Sequence, residues 1–292
     1  MKVAVSSLPK NSWWGQGITG YDDNPFMKDG NVPDQNLLVK ERSNLIKTIK
    51  KNNIEIIEFP FPKKLENTKF GHDYVFIRDT FISDLKGNVL LLKFAEKNRE
   101  PESQIIARQL EKLNFNLKEL PNKKKIYAEG GEFYFCPKDK ILFSGINRNT
   151  TEGAEEVATF LNVNELVIID TPSFHLDTVF STILDNKGFL CALIICKKLI
   201  SKSSFKNLEY IVNNLNIELI IVPERDSIGS NNKLGSLAIN CFSSPGLLIS
   251  SSDYSNEFVK KKIDELDVNI ETCSVSQFQL SGGSIHCLTN EI

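Results

Sequence analysis

Two kinds of apolar pattern take turns along the chain. Short runs rich in Val, Ile, Leu and Phe, bounded by Gly, Asn and Asp, predict strands, and segments with apolar residues three or four positions apart predict helices. The first helical pattern follows Pro33-Asp34 and places five apolar residues on one face: Leu37, Leu38, Leu45, Ile46 and Ile49. The predicted helices span 37–51, 102–113, 151–161, 205–215 and 256–266; hairpins span 73–94, 132–143, 178–195 and 237–250; single strands span 3–7, 54–59, 116–120, 165–169, 218–222 and 268–273.

Hairpin, helix and strand recur in that order at a fixed interval. The predicted helices begin near positions 102, 152, 204 and 255, about 50 residues apart. Such a period indicates repeated units, each of which needs its neighbours to bury its apolar face. Five units arranged radially would form a closed α/β assembly with strands inside and helices outside, and closure removes exposed sheet edges. An ordinary open α/β sheet is the alternative.

The end of the chain would complete the fifth unit. Gly282-Gly283 permits a tight bend and a close approach of other groups, and the apolar run 285–288 then predicts a terminal strand that pairs with the N-terminal strand. In a strand, His286 and Cys287 would point to opposite faces. We therefore expect residues 1–292 to form a single domain.

Composition narrows the function classes. The chain has 41% hydrophobic and 25% charged residues and a net charge of -2, as ordinary globular proteins do. No basic arm or aromatic-basic ladder indicates nucleic-acid binding, and no apolar run is long enough for a signal peptide or a membrane span. We expect a cytosolic protein whose six cysteines are thiols. A catalytic zinc site is disfavoured because the chain has only three histidines.

Polar residues interrupt the apolar pattern at matching places, around the first strand of each hairpin. In a radial array such positions would converge on one central point, and buried charges there would need partners. These residues are Asp73 to Asp79, Glu129 to Glu132, His175 to Asp177, Asn240 and Cys287.

Each of these residues also has an ordinary structural explanation. A cysteine in an apolar run is usually a small core residue, and a lone histidine is usually a hydrogen-bonded one. Asp79 could pair with Arg78, Glu129 could cap a turn, and Asn240 could bond nearby backbone. Their joint occurrence in separate repeats is what favours a site.

The chemistry of the set indicates a nucleophile and a cation-binding pair. Cys287 would attack as a thiolate, with His175 as general acid or base and Glu129 orienting the imidazole. Two carboxylates, Asp79 and Asp177, suit a positively charged substrate. A guanidinium is planar, permanently charged and able to bond carboxylates in bidentate fashion.

The chain resembles the guanidino-group-modifying enzymes, or penteins, which include arginine deiminase, dimethylarginine dimethylaminohydrolase, agmatine deiminase and the amidinotransferases. The resemblance covers nearly the whole chain. It implies a five-bladed α/β propeller with pseudo-fivefold symmetry, in agreement with the repeat count. The motifs that carry it are Phe76-Ile77-Arg78-Asp79, Glu129-Gly130-Gly131, Phe174-His175-Leu176-Asp177-Thr178 and Gly282-Gly283-Ser284-Ile285-His286-Cys287.

The resemblance also implies roles for individual residues. Cys287 would be the nucleophile, His175 the general acid/base and Glu129 its partner. Arg148 would bind the α-carboxylate of the substrate and Arg99 would be a second substrate-side arginine, although both could instead be surface loop residues. The implied substrate-binding set is Asp79, Asp177, Arg148, Arg99, Asp73 and Phe76.

Features of the motifs narrow the choice within the resembled family. Its dimethylarginine hydrolases usually have a lysine in place of Asp177 and an acidic residue in place of Arg78, and its arginine deiminases usually carry a helical insertion for which this chain has no room. The prediction is a compact hydrolase that acts on free arginine or an N-substituted arginine. It would form a thiouronium intermediate and release citrulline, or ornithine after two rounds, with ammonia or an amine.

Two other functions stay open at this stage. One is an amidinotransferase that passes the amidino group to an acceptor amine, and the other is a non-catalytic binding protein of the same fold. No cofactor and no metal is expected, the partner is a small guanidino molecule, and a homo-oligomer is compatible with the sequence.

Overall fold

The structure is a computed structural model that describes residues 1–292 except positions 15, 16, 18, 19, 21, 23, 25, 26, 29, 67, 69, 70, 122–124 and 232. The helices are α1 (Gln35–Lys51), α2 (Glu100–Lys112), α3 (Thr151–Leu161), α4 (Lys202–Leu215), α5 (Glu257–Asp264), α6 (Ser276–Gln279) and α7 (Ile285–Leu288). The strands are β1 (Lys2–Ser6), β2 (Glu55–Phe59), β3 (Phe81–Ser83), β4 (Asn88–Leu91), β5 (Asn116–Glu119), β6 (Phe133–Cys136), β7 (Ile141–Gly145), β8 (Glu165–Ile169), β9 (Phe180–Leu184), β10 (Leu190–Ile195), β11 (Glu218–Ile221), β12 (Gly229–Ser230), β13 (Lys233–Leu234), β14 (Phe242–Ser244), β15 (Leu247–Ser250), β16 (Asn269–Thr272) and β17 (Asn290–Glu291).

Five of the sheets in the described part of the chain have the same topology. Each consists of an antiparallel pair and a third strand parallel to the pair's second strand, and a helix lies between the second and third strands in sequence. The orders are β17-β1-β2, β3-β4-β5, β6-β7-β8, β9-β10-β11 and β14-β15-β16, and a sixth sheet pairs β12 with β13. The mixed α/β architecture and the recurring unit are thus present, while closure into a symmetric ring stays a prediction.

The helices form where local capping and apolar periodicity agree. The Asp34 carboxylate caps α1 by accepting from the backbone N–H groups of Asn36 and Leu37 at 2.9 and 3.0 Å, a contact typically worth ~1 kcal/mol. Leu38, Leu45 and Ile49 of the predicted apolar face are buried, whereas Leu37 is 37% exposed.

Three segments predicted as strands have other structures. Residues 71–75 and 77–80 form 3₁₀ turns, and the strand begins only at Phe81. The fourth hairpin likewise begins at Phe242, after a turn over 238–240. Residues 73–80 are all buried, so they show no alternation between buried and exposed positions that would separate a strand from a turn.

The end of the chain differs from the prediction in the same way. Residues 285–288 form the short helix α7, and the strand that pairs antiparallel with β1 is β17, with Val3 opposite Glu291. The predicted partner was correct and the predicted segment was wrong. Although the segment is a helical turn, the side chains of His286 and Cys287 both reach Asp177 Oδ2.

Two adjacent tryptophans anchor the N-terminal loop. Trp13 and Trp14 stack with ring centroids 3.7 Å apart, and the Trp13 indole N–H donates to the His72 carbonyl at 2.9 Å. Six of the loop's thirteen positions, 11–23, lie outside the described residues.

No helix among the described residues is long and apolar enough to cross a membrane. All six cysteines are unpaired thiols, as predicted. The single-domain organisation, the cytosolic location and the homo-oligomer stay predictions.

Candidate active site

Equivalent positions of the five repeated sheets supply one cluster of polar side chains. Each of these residues lies two to five positions before the first strand of its antiparallel pair, on a turn that is buried throughout. In a strand, successive side chains point to alternate faces of the sheet. Because each of these residues lies on a turn before the strand, its side chain is free of that alternation and can join the cluster. The residues are Asp79 before β3, Glu129 before β6, His175 and Asp177 before β9, Asn240 before β14 and Cys287 before β17.

The Cys287 thiol is surrounded by polar atoms although it is 3% exposed. Its Sγ lies 3.2 Å from the Asn240 Nδ2 donor and 3.2 Å from Asp177 Oδ2. Burial raises the pKa of the Cys287 thiol well above its usual value, and the carboxylates of Asp177 and Asp79 raise it further. The thiol is therefore the stable form until a positive charge enters the site.

The Asp177 carboxylate bonds two residues that are adjacent in the sequence, His286 and Cys287. Its Oδ2 also bonds His286 Nδ1 at 2.9 Å, so the imidazole and the thiol share one carboxylate oxygen. Its Oδ1 is buried and has no hydrogen-bond partner among the described residues. Burial raises the pKa of Asp177, but the bond from His286 and its charge outweigh that and lower it. An ionised oxygen without a donor is suited to binding a cation.

His175 and Glu129 form a closely bonded pair. His175 Nε2 lies 2.8 Å from Glu129 Oε2, and the other Glu129 oxygen accepts from the Ala95 backbone N–H at 2.9 Å. Burial lowers the pKa of His175, but Asp79 and Glu129 outweigh it and raise the pKa to about 9. For Glu129, burial raises the pKa, but Arg148 and His175 outweigh it and lower the pKa to about 2. The geometry therefore favours an imidazolium held by a carboxylate.

Asp79 lies next to both catalytic candidates. Its Oδ1 accepts from the Gly131 N–H at 2.8 Å and lies 3.8 Å from His175 Nδ1. A Cβ at Gly131 would come within 2.5 Å of His175 Nδ1 and 2.9 Å of Asp79 Oδ1, closer than a side chain permits. Gly131 is thus the backbone position that lets the carboxylate and the imidazole meet.

The two arginines that were predicted to lie on the substrate side are both buried. Arg99 is 3% exposed, donates to Asp79 Oδ2 at 2.6 Å and bonds both oxygens of Glu102. Arg148 is 7% exposed, lies 3.5 Å from Glu129 Oε2 and has its guanidinium over the Phe174 ring. The surface-loop alternative is wrong for both. Whether either touches a substrate stays a prediction.

Asp73 and Phe76 lie at the side of the Gly282-Gly283 bend. Asp73 Oδ1 accepts from the Ser281 hydroxyl at 3.1 Å, and a Cβ at Gly283 would fall 2.3 Å from the Phe76 ring. The two residues therefore fix the segment that leads into Cys287.

Three residues of the converging polar set were given no role in the sequence prediction but contribute to the site. Asn240 bonds the nucleophile and also accepts from the His286 backbone N–H at 3.0 Å. The fully buried Glu132 accepts from the Leu176 N–H at 2.8 Å and so fixes the turn between His175 and Asp177. Arg78 pairs with Glu291 at 2.6 Å instead of with Asp79. Each was visible in the sequence only as a polar residue in an apolar region.

A metal is not needed to explain this cluster. Ligand atoms of Asp79, Glu129 and His175 lie within 4.8 Å of one another. The carboxylates already bond backbone N–H groups, and the guanidinium groups of Arg99 and Arg148 lie beside them. Two adjacent cations disfavour a third, divalent one.

A buried thiol, a histidine–glutamate pair and two carboxylates, all at equivalent positions of repeated units, define a guanidino-group-modifying enzyme of the pentein superfamily. A family model described as "N,N dimethylarginine dimethylhydrolase, eukaryotic" matches residues 21–292. The chain belongs to this family.

Individual relatives agree with that assignment. The bifunctional arginine dihydrolase/ornithine cyclodeaminase ArgZ of Synechocystis sp. is 26% identical over 275 residues, covering 92% of this chain. The chain spans about a third, 35%, of that relative's length.

Solved structures share the fold. The N-terminal domain of ArgZ bound to product superposes with a TM-score of 0.79 at 22% identity, covering 99% of this chain and 96% of that one. DDAH from Pseudomonas aeruginosa, complexed with citrulline, gives a TM-score of 0.72 at 14% identity, covering 99% and 98%.

Proposed function

We propose that this protein is a cysteine-dependent hydrolase that cleaves a C–N bond of the guanidinium group of free arginine or an N-substituted arginine. The observation that carries the proposal is the Asp177 carboxylate: Oδ2 lies 3.2 Å from the Cys287 sulfur, and buried Oδ1 has no donor among the described residues. Membership of a dimethylarginine hydrolase family supports the hydrolytic reaction.

The substrate cation would bind between the two carboxylates. Asp177 Oδ1 offers an unused acceptor, and each charge-assisted bond to it is worth roughly 1.5–3 kcal/mol. Both Asp79 oxygens already accept one bond, from Gly131 and from Arg99, but each carboxylate oxygen has capacity for a second. A planar guanidinium in this position presents its central carbon to the sulfur.

Binding of the cation would also activate the nucleophile. The carboxylates that raise the pKa of Cys287 are those that the guanidinium would neutralise. An opposite charge within a few ångströms favours the ionised form of an acid. The thiol proton would thus pass to solvent only when the substrate cation is present, because His175 is already protonated.

The reaction then proceeds in two halves. The Cys287 thiolate forms an S–C bond to the guanidinium carbon, and the C–N bond breaks as His175 gives its proton to the departing amine. Water next gives one proton to His175 as its oxygen bonds to the carbon. The C–S bond then breaks, the remaining hydroxyl proton passes to the departing sulfur, and the ureido product and the Cys287 thiol are released. Glu129 holds the imidazole in both halves.

Arg99 and Arg148 would act on different parts of the substrate. The contacts of Arg99 with Asp79, Glu102 and the Asp73 carbonyl support a positioning role behind the guanidinium site, in place of the direct substrate contact expected from the sequence. Arg148 would bind the α-carboxylate.

The products follow from the substrate. Arginine would give citrulline and ammonia, and a methylated arginine would give citrulline and the methylamine. A second round on citrulline would give ornithine. We further infer that the five sheets with common topology close into the five-bladed propeller, because their polar turns meet at one centre.

A product assay tests the proposal. The protein is incubated separately with arginine, asymmetric dimethylarginine and agmatine, with and without glycine as an acceptor, and products are identified by mass spectrometry. We expect citrulline with ammonia or dimethylamine, independent of glycine. Amidino transfer that requires glycine would identify an amidinotransferase, and no turnover together with no labelling of Cys287 by a haloacetamidine would identify a binding protein.

A further inference from the structure

A second cavity lies at the far end of the hairpins, away from the candidate active site. Its volume is about 300 Å³, which falls in the range of small-molecule sites. The active-site residues precede the first strand of each pair, whereas the mouth of this cavity is formed at the hairpin turns by Leu85, Lys138, Gly188 and Pro245. None of the residues given a catalytic role above is among the described residues that line it.

The inner wall of the cavity adjoins the active site through sequence neighbours. Arg78 and His286 line the cavity, and the residues that follow them, Asp79 and Cys287, belong to the active site. The His286 ring stacks on the Tyr134 ring at 4.5 Å. The two sites are thus separated by a layer one residue thick at these places.

A strong hydrogen-bond donor in this wall is unused. The Arg78 Nε donates to the His286 carbonyl at 3.2 Å, and Nη1 donates to Glu291 at 2.6 Å. Nη2 is buried and has no acceptor among the described residues, in a side chain that is 7% exposed. A charged donor without a partner is costly to bury. The Arg78 side chain lines the cavity, so a rotation that turns Nη2 toward the cavity would give this donor an acceptor there. The Ser243 hydroxyl, which also lines the cavity, likewise has no described partner.

The surroundings define the chemistry of that acceptor. The charged residues lining the cavity in the described part of the chain are Arg78, Lys138 and Glu291, which leaves one positive charge in excess. Much of the remaining wall is apolar, with Phe81 and Phe133 among its side chains. An anionic acceptor on an apolar body complements both features.

We propose that this cavity is a second binding site for a small carboxylate with an apolar body, such as an aryl- or alkyl-carboxylic acid. The Arg78 and Ser243 side chains turn toward the cavity, the carboxylate bonds Arg78 Nη2 and the Ser243 hydroxyl, and the apolar body lies against the aromatic wall. The site is independent of the proposed hydrolysis and does not require it.

Binding of 3-phenylpropionate to the intact chain tests the proposal. Its affinity is measured by calorimetry and by saturation-transfer NMR, and it is compared with the neutral 3-phenylpropanamide and the cationic phenethylamine. We expect one saturable site that needs the carboxylate, because the acid alone meets the unused charged donor. Binding should persist after Cys287 has been alkylated, since the cavity does not include the active-site residues. Failure of all three probes to bind at up to about 10 mM, or equal binding of acid, amide and amine, overturns the proposal.

Variants locate the site. Arg78→Lys keeps the charge but removes the guanidinium fork, and the affinity for 3-phenylpropionate should fall about tenfold. Ser243→Phe fills the cavity and should abolish binding, whereas Ser203→Phe, exposed on α4, should not. The proposal is contradicted if alkylation of Cys287 abolishes binding, or if Ser243→Phe keeps full affinity, because either result would place the ligand elsewhere. If Arg78→Lys does not fold, the comparison of acid with amide on the unmodified chain still decides.

Discussion

His286 and Cys287, adjacent in sequence, both bond Asp177 Oδ2, at 2.9 and 3.2 Å. A helical turn makes this sharing feasible, because successive residues in a strand would diverge. One carboxylate therefore fixes the His286 imidazole, which lines the rear cavity, and the Cys287 thiol, which belongs to the candidate active site.

The thiol should be indispensable for turnover and of small importance for stability. Cys287→Ser should lower turnover of the guanidino substrate by at least about 1,000-fold, because the hydroxyl lacks the nucleophilicity of a thiolate. The free energy of unfolding should change little. Cys191→Ser, at a half-buried thiol in β10, should keep full activity. Equal losses in both variants would show that the effect is not chemical.

Replacement of Asp177 should speed alkylation of the Cys287 thiol but slow turnover of arginine. In Asp177→Asn the carboxylate that raises the pKa of Cys287 is gone, so neutral iodoacetamide should alkylate the thiol faster at pH 8. Turnover of arginine should nevertheless fall by about 100-fold or more, because the cation loses a charged partner. Asp264→Asn, exposed on α5, is the control. Slower alkylation in Asp177→Asn would contradict the electrostatic account of the thiol.

His175 and His286 should titrate separately in a nitrogen-15 NMR experiment. His175 should titrate at about 9, and the pKa of His286 should lie below its usual value because burial and Arg78 lower it. Since the pKa of His175 is raised in the folded state, its contribution to stability is complete below pH 6.5 and is lost as the pH rises through about 9. Glu129→Gln should lower the pKa of His175. An unchanged titration in that variant would show that Glu129 does not hold the imidazolium.

Gly131 should tolerate no side chain. Gly131→Ala brings a methyl group within 2.5 Å of His175 Nδ1, so it should abolish measurable turnover and lower the free energy of unfolding by about 1–3 kcal/mol. Gly87→Ala is the matched control, because a Cβ there meets no atom within 4 Å although φ is +96°. It should cost about 1 kcal/mol and no activity. An active Gly131→Ala enzyme would mean that the close approach is unimportant.

The two arginines should separate in their response to substrate. Arg148→Lys should raise KM for arginine and leave agmatine, which has no α-carboxylate, nearly unaffected. Arg99→Lys should lower kcat/KM for both by a similar factor, about tenfold or more, because it displaces Asp79 from the guanidinium. A selective effect of Arg99→Lys on arginine would restore it as a substrate-carboxylate residue.

The repeated unit was predictable because apolar periodicity and turn residues mark it strongly. Helix α3 and strand β8 have the predicted ends, 151–161 and 165–169. The turns that carry the site were not predictable as turns. Residues 73–80 and 285–288 are buried on all sides, and uniform burial leaves no alternation between apolar and polar positions in the sequence.

The residue types of the site were recognisable, whereas their partners were not. A cysteine, a histidine and acids at matching places indicated the chemistry. The pairing of Arg99 with Asp79, across 20 residues, and of Arg78 with Glu291, across 213, depends on tertiary structure. The sharing of Asp177 between His286 and Cys287 depends on a backbone turn that periodicity does not reveal.

Arg78 lines the rear cavity and Asp79 belongs to the candidate active site, and the same division separates His286 from Cys287. An exchange at either rear position therefore shifts a catalytic neighbour through the peptide link between them. We therefore expect changes that reshape the rear cavity to alter turnover at the active site. The residues that line the two sites should then vary together across related sequences.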